Sequence, residues 1–454
     1  MNAPFLLLGM SAIFAFSLIF LWKNQKIQLA VGTLGTILIA LFVMLFPIED
    51  AIDLFGVSMK ISSELEVFGR VLKLDNTNRS MIGLLYTISV PQFLGVHGTE
   101  IRRRYLTISF LMTASIAAAI MVDPFLYAAI FVEFAVLGGV LMIEYHDRKN
   151  EGPLLLASIN ILAMMAILLS GWTLDVGGVT AGSIELATIT KLLLGFGVSV
   201  LLCIPPFSVW VLKAARDSKA YEWIYVISLL QFAGTYFLIT FLSQYGFFRE
   251  DPVTQAALRT GGIVFIWIGT VLGAIQNDID RFVIYAITAD LGFMLLVLSG
   301  MGSNAFGIVL LASAVRICGM ALVAAGLENL KKNKISNENK NLALLLFIVG
   351  MLSISGFPMM AGFPARWAIL NSALSGDFNA MIAVIASCTV LSLASFRWMY
   401  RFIKKSGEIS IKININKDWA YILLLLFTLL IGIFPQIINN WIINAIEGLS
   451  LLQG

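Results

Sequence analysis

Long apolar runs separated by short polar stretches dominate the chain. Runs of roughly 17–25 residues match the thickness of a bilayer core, so each is a candidate membrane-spanning segment. Inside lipid every backbone polar group must be paired within the protein, which favours helices. We therefore predict an all-α polytopic membrane protein with about 14 transmembrane helices. They are expected near residues 4–22, 27–46, 79–95, 104–121, 124–144, 153–171, 187–210, 220–243, 259–275, 281–299, 303–328, 342–375, 378–401 and 418–440.

Proline and glycine interrupt two of these segments. The seventh contains "LLCIPPFSVW", and the twelfth contains "SISGFPMMAGFPARW". Proline removes a backbone donor and clashes with the preceding turn, so helices 7 and 12 should be broken. The twelfth segment, about 34 residues or about 50 Å as a helix, is also too long for one straight crossing. The residues expected to open the two helices are Pro205, Pro206, Gly356, Pro358, Gly362 and Pro364.

The two predicted breaks lie five helices apart, which indicates an internal repeat. Helices 4–8 (residues 101–245) would form one copy and helices 9–13 (residues 255–405) the other, inverted because the offset is odd. Inverted repeats with discontinuous helices are typical of transporters. Helices 1–3 with an external loop (residues 1–100) and the C-terminal helix 14 (residues 406–454) would flank this core. The alternative is that the prolines only reflect their frequency in membrane helices.

Lys and Arg predict the orientation of the chain in the membrane. Loops after odd-numbered helices hold 21 of them, and loops after even-numbered helices hold 7. Because cytoplasmic loops carry the excess of basic residues, both termini should lie on the outer face of the cell membrane. The first helix lacks a preceding basic residue and a cleavage site, so we expect it to be retained. The net charge of +3 then reflects topology and gives no indication of nucleic-acid binding. The external loop at residues 47–78 could pair as a short hairpin or lie on the surface.

Cysteine and histidine offer no redox or metal chemistry. Cys203, Cys318 and Cys388 all fall inside apolar segments without a CxxC pair, where cysteine packs as a small hydrophobe. His97 and His146 stand singly near loops. No metal-ligand spacing, iron–sulfur cysteine run or phosphate-binding glycine loop is present in the sequence. We therefore expect no catalytic residue, no metal and no cofactor in this chain.

Ionisable residues inside the apolar segments are the strongest functional signal. They are Glu133, Asp290, Arg316 and Arg366, with Lys213 near a segment end. Each costs at least ~2.5–3.5 kcal/mol to insert at mid-span, so such residues are functional candidates. Helices 5 and 10 would be equivalent in the repeat, and they carry Glu133 and Asp290. Either acid could relay protons or lock helices together, with the arginines as fixed counter-charges because guanidinium does not deprotonate in proteins.

Four segments between residues 124 and 401 resemble the motifs of one family, in order and spacing. "LSISGFPMMAGFPARWAIL" is similar to SLAGIPxxxGFxGKxxxL, and "AIQNDIDRFVIYAITADLGFM" is similar to ALxQxxIKRLLAYSSIxHLGY. "IPPFSVW" resembles VPFHxW, and "FLYAAIFVEFAVLGGVL" resembles LLxLFxxxELxSLxLY. The chain thus resembles the antiporter-like membrane subunits of respiratory complex I, of the subunit N type. The chain is also similar to the related subunits of Mrp antiporters and membrane hydrogenases.

The resemblance implies the fold predicted above and a role in proton translocation driven by quinone reduction. The chain would be a membrane subunit of a complex I-like NADH-quinone oxidoreductase, a translocase with no redox site of its own. Quinone, flavin and iron–sulfur clusters would belong to partner subunits. Its partners would be other membrane subunits, a peripheral redox arm and the lipid bilayer, and no nucleic acid. The electron donor and the coupling ion, H⁺ or Na⁺, stay open.

The family's charged residues are only partly present. Glu133 matches the family's glutamate of the fifth helix, and Arg366 takes the place of the lysine of the twelfth. Leu201 and Gln231 stand at the family's lysine positions of helices 7 and 8, so the chain departs from the family's lysine relay. An Mrp-type cation/proton antiporter, a membrane-hydrogenase subunit and a non-pumping scaffold therefore remain alternatives. The expected proton pathway consists of Glu133, Asp290, Arg316, Arg366, Lys213 and Gln231.

Overall fold

The described part of the chain is mostly α-helical. The computed structural model describes all residues except 1, 47, 49–50, 55–56, 68, 98, 100–101, 103, 144–150, 176–183, 332–336, 373–376, 407–414, 438–442 and 444–454. The α-helices are α1 (Ala3–Phe20), α2 (Gln25–Leu45), α3 (Asn76–Gly95), α4 (Tyr105–Met121), α5 (Ala128–Ile143), α6 (Gly152–Asp175), α7 (Ile184–Leu201), α8 (Val209–Asp217), α9 (Ala220–Gln244), α10 (Gly246–Arg249), α11 (Pro252–Ile275), α12 (Ile279–Leu298), α13 (Ser303–Lys331), α14 (Asn337–Ser355), α15 (Phe363–Ser372), α16 (Phe378–Ser406) and α17 (Ile415–Ile433).

Eight helices within the described ranges are long and apolar enough to cross a bilayer. They are α1, α2, α6, α9, α11, α12, α13 and α16. Helices α4, α5, α14 and α17 contain shorter apolar stretches of 10–17 residues. A chain with this many apolar helices is a multi-pass membrane protein, which confirms that part of the prediction.

Helices α9, α12 and α13 form the centre of the molecule. The most apolar 18-residue stretch of α9 is completely buried. The corresponding stretches of α12 and α13 are 89% buried, whereas that of α11 is 28% buried. The outer helices present large apolar side chains such as Phe16 and Leu154 outward, where lipid would cover them. Polar side chains on the three central helices are therefore shielded from lipid by protein.

Two pairs of helices are separated by interruptions of equal length. Residues 202–208 separate α7 from α8, and residues 356–362 separate α14 from α15, so each interruption is seven residues long. Each contains a residue in the left-handed region, Cys203 with φ 55° and Gly356 with φ 77°. Pro205 and Pro206 lie in the first interruption and Pro358 in the second, where no helical donor is needed. Pro364 is the second residue of α15, a position where a missing N–H has no cost.

Short strands add to the helices, so the all-α prediction was incomplete. Strands β1 (Ala51–Leu54) and β2 (Val57–Lys60) form one antiparallel hairpin, with Ala51 opposite Lys60. Strands β3 (Glu64–Val67) and β4 (Arg70–Lys73) form a second, and β5 (Val122–Asp123) extends its sheet. In β3 the charged Glu64 and Glu66 alternate with the apolar Leu65 and Val67, which suits a largely exposed surface strand.

A salt bridge fixes the second hairpin to the connection between α4 and α5. Lys73 Nζ lies 2.8 Å from Asp123 Oδ2. This hydrogen-bonded carboxylate raises the pKa of the Lys73 ammonium above its usual range. The salt bridge and the pairing of β4 with β5 therefore hold the hairpin against the connection between α4 and α5.

Close packing of α11 on α12 orients the centre of α12. A side chain at Gly292 would lie 2.5 Å from the backbone nitrogen of Ile266, so the two backbones touch at a glycine. Small residues at such contacts are typical of membrane helix pairs. Asp290 precedes Gly292 by two residues, about 200° around a helix with 3.6 residues per turn. It therefore points away from α11 and into the protein.

Candidate functional site

A carboxylate lies between two guanidinium groups in the centre of the protein. Asp290 on α12 is only 3% exposed. Its Oδ1 accepts a hydrogen bond from Nη2 of Arg366 on α15. Its Oδ2 is 3.6 Å from Nε of Arg316 on α13. Three helices thus contribute to one buried charge cluster, and two cations facing one anion leave it with a net charge of +1.

The break after α14 holds Arg366 in place. Besides Asp290, Nη2 of Arg366 donates to the carbonyl oxygen of Ile354 at 3.1 Å, in the last turn of α14. Carbonyls at a helix C-terminus lack intrahelical donors, and basic side chains often supply them. The guanidinium also lies 3.7 Å above the ring of Phe293. The interruption therefore creates a polar niche for an arginine inside an otherwise apolar helix.

Gly356 is required at this niche for two reasons. Its φ of 77° lies in the left-handed region, which favours glycine. A Cβ at this position would also lie 2.6 Å from Cγ of Arg366. The helix break and the arginine are therefore sterically linked.

Arg316 is the least satisfied member of the cluster. It is 2% exposed, and none of its three guanidinium nitrogens has a hydrogen-bond partner among the residues that the structure describes. A buried donor without an acceptor costs about 1–3 kcal/mol. Arg316 can therefore accept a new partner, such as water or a reoriented Asp290, without losing an existing hydrogen bond.

Three buried acids form ion pairs at one face of the same central helices. All three carboxylates lie at the ends of α9, α12 and α13, and each is 9% exposed or less. The pairs are Arg102 Nε with Glu222 Oε1 (3.2 Å), Lys219 Nζ with Glu328 Oε1 (3.2 Å) and Lys331 Nζ with Asp280 Oδ1 (2.7 Å). We call this group the charged face.

Glu222 and Glu328 were not predicted from the sequence. An acid near the end of an apolar segment resembles an ordinary interfacial charge, so neither stood out. The signal available was that each lies within one turn of a basic residue in an adjoining loop. Only the fold shows that the two acids and Asp280 meet on neighbouring helices.

The central cluster lies near the middle of α12 and α13, where Asp290 and Arg316 are placed. Ten residues separate Asp280 from Asp290 and twelve separate Glu328 from Arg316, or about 15 Å and about 18 Å along a helix. With the charged face at the boundary of a bilayer core about 30 Å thick, the cluster would lie about halfway across that core.

Buried amides lie at the level of the cluster. Nε2 of Gln92 on α3 is 3.4 Å from Oγ of Ser228 on α9 and 3.3 Å from the carbonyl oxygen of Ile317 on α13. Nε2 of Gln231 on α9 donates to the carbonyl oxygen of Leu202 at 3.0 Å, in the first interruption. Gln231 thus binds the break between α7 and α8 much as Arg366 binds the break between α14 and α15.

Two predicted pathway residues lie apart from this cluster. Glu133 on α5 is half-buried, and its Oε2 has no hydrogen-bond partner within the described part of the chain. Lys213 on α8 pairs with Glu151, and the two side chains are 42% and 64% exposed. His146 lies outside the described residues. The cluster therefore unites Asp290, Arg316 and Arg366 and leaves Glu133 and Lys213 elsewhere.

No grouping of three or more His, Cys, Asp or Glu side chains suitable for a metal occurs in the described ranges. Cys203 and Cys318 are both free thiols, and each is buried. The polar chemistry of the described interior is therefore that of carboxylates, guanidinium groups, amides and hydroxyls.

Comparison with known proteins identifies the relatives of this fold. Residues 152–392, more than half of the chain, match the family described as NADH:quinone oxidoreductase/Mrp antiporter, TM. NADH-quinone oxidoreductase subunit N of Dehalococcoides mccartyi is 24% identical over 416 residues, which cover 84% of this chain and 78% of that protein. The match confirms the resemblance found in the sequence motifs.

Solved structures share the fold at low sequence identity. A chain of the membrane-bound sulfane sulfur reductase, an archaeal respiratory membrane complex, superposes with a TM-score of 0.78 at 16% identity, covering 100% of this chain and 99% of that one. A chain of the Mrp complex from Dietzia sp. superposes with a TM-score of 0.77 at 14% identity, covering 98% of this chain and 52% of that one. At these identities the likeness concerns the fold.

Proposed function

Because the chain belongs to the NADH:quinone oxidoreductase/Mrp antiporter family, we propose that it is a proton-translocating membrane subunit of a complex I-like assembly. A relative that aligns with 84% of the chain is a subunit N of an NADH-quinone oxidoreductase. The enzyme would be a quinone-reducing translocase, with the redox reaction in other subunits.

The observation that carries the proposal is the buried carboxylate of Asp290, near the middle of α12, between Arg316 and Arg366. Ionisable groups are expensive inside a membrane and mark ion pathways when they face the protein interior. The cluster also lies beside a broken helix, the place where transporters of this kind hold their ion sites. A purely structural core of α12, α13 and α15 could have been built from apolar residues at lower cost.

We propose fourteen membrane crossings arranged around two inverted five-helix repeats. The repeats would comprise residues 101–245 and 255–405, flanked by residues 1–100 and 406–454. The equal length of the interruptions at residues 202–208 and 356–362 supports this arrangement. The helices before them have 18 and 19 residues and the helices after them 9 and 10, which supports it further.

The charged face would be cytoplasmic, and both termini would lie on the outer side of the cell membrane. Arg102, Lys219 and Lys331 all belong to loops that the positive-inside rule assigns to the cytoplasm. Protease accessibility of a tag at either terminus, in right-side-out and inverted vesicles, tests this orientation.

Protons would enter at the charged face and reach Asp290 along the central helices. Glu222, Glu328 and Asp280 offer carboxylates at one end. Gln92, Ser228 and Gln231 supply polar groups on the way. Arg316 and Arg366 would act as counter-charges for Asp290.

The first repeat would use Glu133 as its protonatable group. Lys213, which is exposed on α8, would contribute only at the surface end of the route. Without lysines at Leu201 and Gln231, the first repeat cannot use the family's glutamate–lysine pair. The second repeat would therefore carry the larger part of the charge movement.

Cofactors and partners follow from the family. Flavin, iron–sulfur clusters and bound quinone would lie in partner subunits, including a peripheral redox arm. Other membrane subunits would pack against this chain within the bilayer. The alternatives within the family are a Mrp-type cation/proton antiporter subunit and a membrane-hydrogenase subunit. The fold shared with the Mrp complex supports retaining the antiporter as an alternative.

A non-pumping scaffold is the second candidate function. Arginine does not deprotonate in proteins, so Asp290 with Arg316 and Arg366 could simply join three helices. The absence of lysine at Leu201 and Gln231 favours this reading.

Isolation of the chain with its companions tests the assembly. Native membranes are solubilised gently, companions are identified, and iron and flavin are assayed. Companions with iron–sulfur clusters and flavin agree with the proposal. Iron–sulfur clusters without flavin indicate a hydrogenase-like complex, and membrane subunits without redox centres indicate an antiporter.

Glutamate substitutions distinguish pumping from scaffolding in the first repeat. Glu133→Gln is expected to reduce proton uptake by vesicles while the complex still assembles. Glu66→Gln, on the exposed strand β3, is the matched control and should have no effect. Unchanged uptake in assembled Glu133→Gln would remove Glu133 from the pathway.

A further inference from the structure

A cleft of about 670 Å³ lies between α7, α9, α11 and α12, apart from the charge cluster. This volume is within the range of about 300–1,000 Å³ that small-molecule sites occupy. Its wall is almost entirely apolar, with Leu194, Val198, Leu238 and Leu295 among the lining residues. The proton pathway proposed above makes no use of it.

The cleft is open sideways. Leu192 and Val253, at its rim, are 69% and 73% exposed and would face lipid tails. Gly195 and Gly261 also line it, and a Cβ at Gly195 would meet no atom within 4 Å. The occupant can therefore enter from the bilayer, and the glycines make room for it.

One end of the cleft is charged and the other end reaches the first helix break. At the charged end Lys191 Nζ lies 2.9 Å from Asp251 Oδ2, and Thr254 Oγ1 donates to the same oxygen at 2.7 Å. At the other end the wall includes Leu202 and Phe207. Lys191 and Leu202 are eleven residues apart, or about 16 Å along a helix.

This length matches one leaflet of the membrane. Half of a bilayer core of about 30 Å is about 15 Å, the span of one acyl chain in a leaflet. A lipid placed in the cleft would have its headgroup beside Lys191 and the end of its chain beside the break. Lysine near a membrane boundary commonly directs its ammonium toward headgroups.

We propose that this cleft binds a phospholipid, with one acyl chain between α7 and α11 and its phosphate at Lys191. A phosphate suits the Lys191 ammonium, which it would share with the Asp251 carboxylate 2.9 Å away. A neutral isoprenoid would gain nothing from the charged end.

Photo-labelling of the full chain in membranes tests the proposal. The probe is a phosphatidylglycerol with a diazirine on its acyl chain, and labelled peptides are mapped by mass spectrometry. We expect label on residues 188–207 and 251–265. The variants Gly195→Leu and Gly261→Leu, which fill the cleft, should lower this label several-fold. Gly9→Leu on α1, where a Cβ also meets no atom within 4 Å, is the matched control and should leave it unchanged.

A second probe tests the headgroup. Lys191→Gln should lower labelling by the phospholipid but not by an isoprenoid diazirine without phosphate. Equal labelling in Gly195→Leu and the unsubstituted chain would mean ordinary contact with bulk lipid and would overturn the proposal. An isoprenoid probe that labels the cleft better than the phospholipid would also overturn it, as would protection of the cleft by a partner subunit in the assembled complex.

Discussion

Asp290 and Arg366 are 76 positions apart in the chain and form a buried ion pair at the break between α14 and α15. The pair joins the intact helix α12 to a discontinuous one. Gly356 supplies the left-handed backbone of the break, and its missing side chain leaves room for Arg366. The helix breakers in this apolar stretch therefore form the site that holds the arginine.

Removing the carboxylate of Asp290 should destabilise the protein strongly. Asp290→Asn leaves two buried guanidinium groups without a counter-charge, and breaking such a pair costs about 3–5 kcal/mol. We expect a large fall in melting temperature, measured by intrinsic tryptophan fluorescence in detergent. The double variant Asp290→Asn/Arg316→Gln restores the native cluster charge of +1 and should recover part of the loss. If the double variant is as unstable as the single one, charge balance does not govern the cluster.

The two arginines should differ in their contribution to stability. Arg366 donates hydrogen bonds to Asp290 and to the carbonyl of Ile354, whereas Arg316 has no hydrogen-bond partner among the described residues. Arg316→Gln also leaves a neutral Asp290–Arg366 pair. We therefore expect Arg366→Gln to lower the melting temperature more than Arg316→Gln. The reverse order would show that Arg316 holds the principal bond to Asp290.

Adding one methyl group at Gly356 should disturb the break. The left-handed backbone and the 2.6 Å approach to Arg366 Cγ both disfavour alanine. Strained positions of this kind cost about 1–3 kcal/mol. Gly9→Ala, at an unhindered position in a helix, is the control and should leave stability equal or slightly higher. Equal melting temperatures for Gly356→Ala and the unsubstituted chain would contradict the described geometry.

The Asp251–Lys191 pair should stabilise the protein in a pH-dependent way. The hydrogen bonds from Lys191 and Thr254 lower the pKa of the Asp251 carboxyl to about 2. An unfolded aspartate titrates near about 3.9, so the folded state binds fewer protons and the stabilisation is complete above about pH 4. It is lost as the pH falls toward 2. We therefore expect Asp251→Asn to lower the melting temperature at pH 6.

The pH profile of that variant provides the check. The difference in melting temperature between Asp251→Asn and the unsubstituted chain should shrink as the pH falls from about 4 to about 2. A difference that stays constant over this range would mean that the ion pair makes no contribution through ionisation.

Much of the fold was predictable because lipid restricts the choices. Apolar segments near residues 220–243 and 281–299 predicted α9 and α12 to within a few residues, since such segments must be helical. The prolines at 205, 206 and 358 likewise predicted where helices stop. The strands at residues 51–73 were only suggested, because short mixed segments on a surface have little intrinsic preference.

The site was harder to predict because it depends on which helices meet. Asp290, Arg316 and Arg366 were identified singly by their cost in an apolar segment, but their convergence on one carboxylate requires the packing of α12, α13 and α15. Glu222 and Glu328 were missed because each resembles an interfacial charge in sequence. Lys213 was included for its position near a segment end, and it instead pairs with Glu151 at the surface.

Proton translocation by the assembled complex is the most direct test of the proposed function. We would measure protons translocated per electron pair in inverted vesicles for the unsubstituted chain, Arg316→Gln and Asp290→Asn/Arg316→Gln. The first variant keeps the carboxylate, whereas the second removes it and preserves the charge of the cluster. We expect the ratio to fall in the double variant while assembly and electron transfer persist, and Arg316→Gln to retain most of it. An unchanged ratio in an assembled double variant would contradict a pumping role for Asp290 and favour a scaffold.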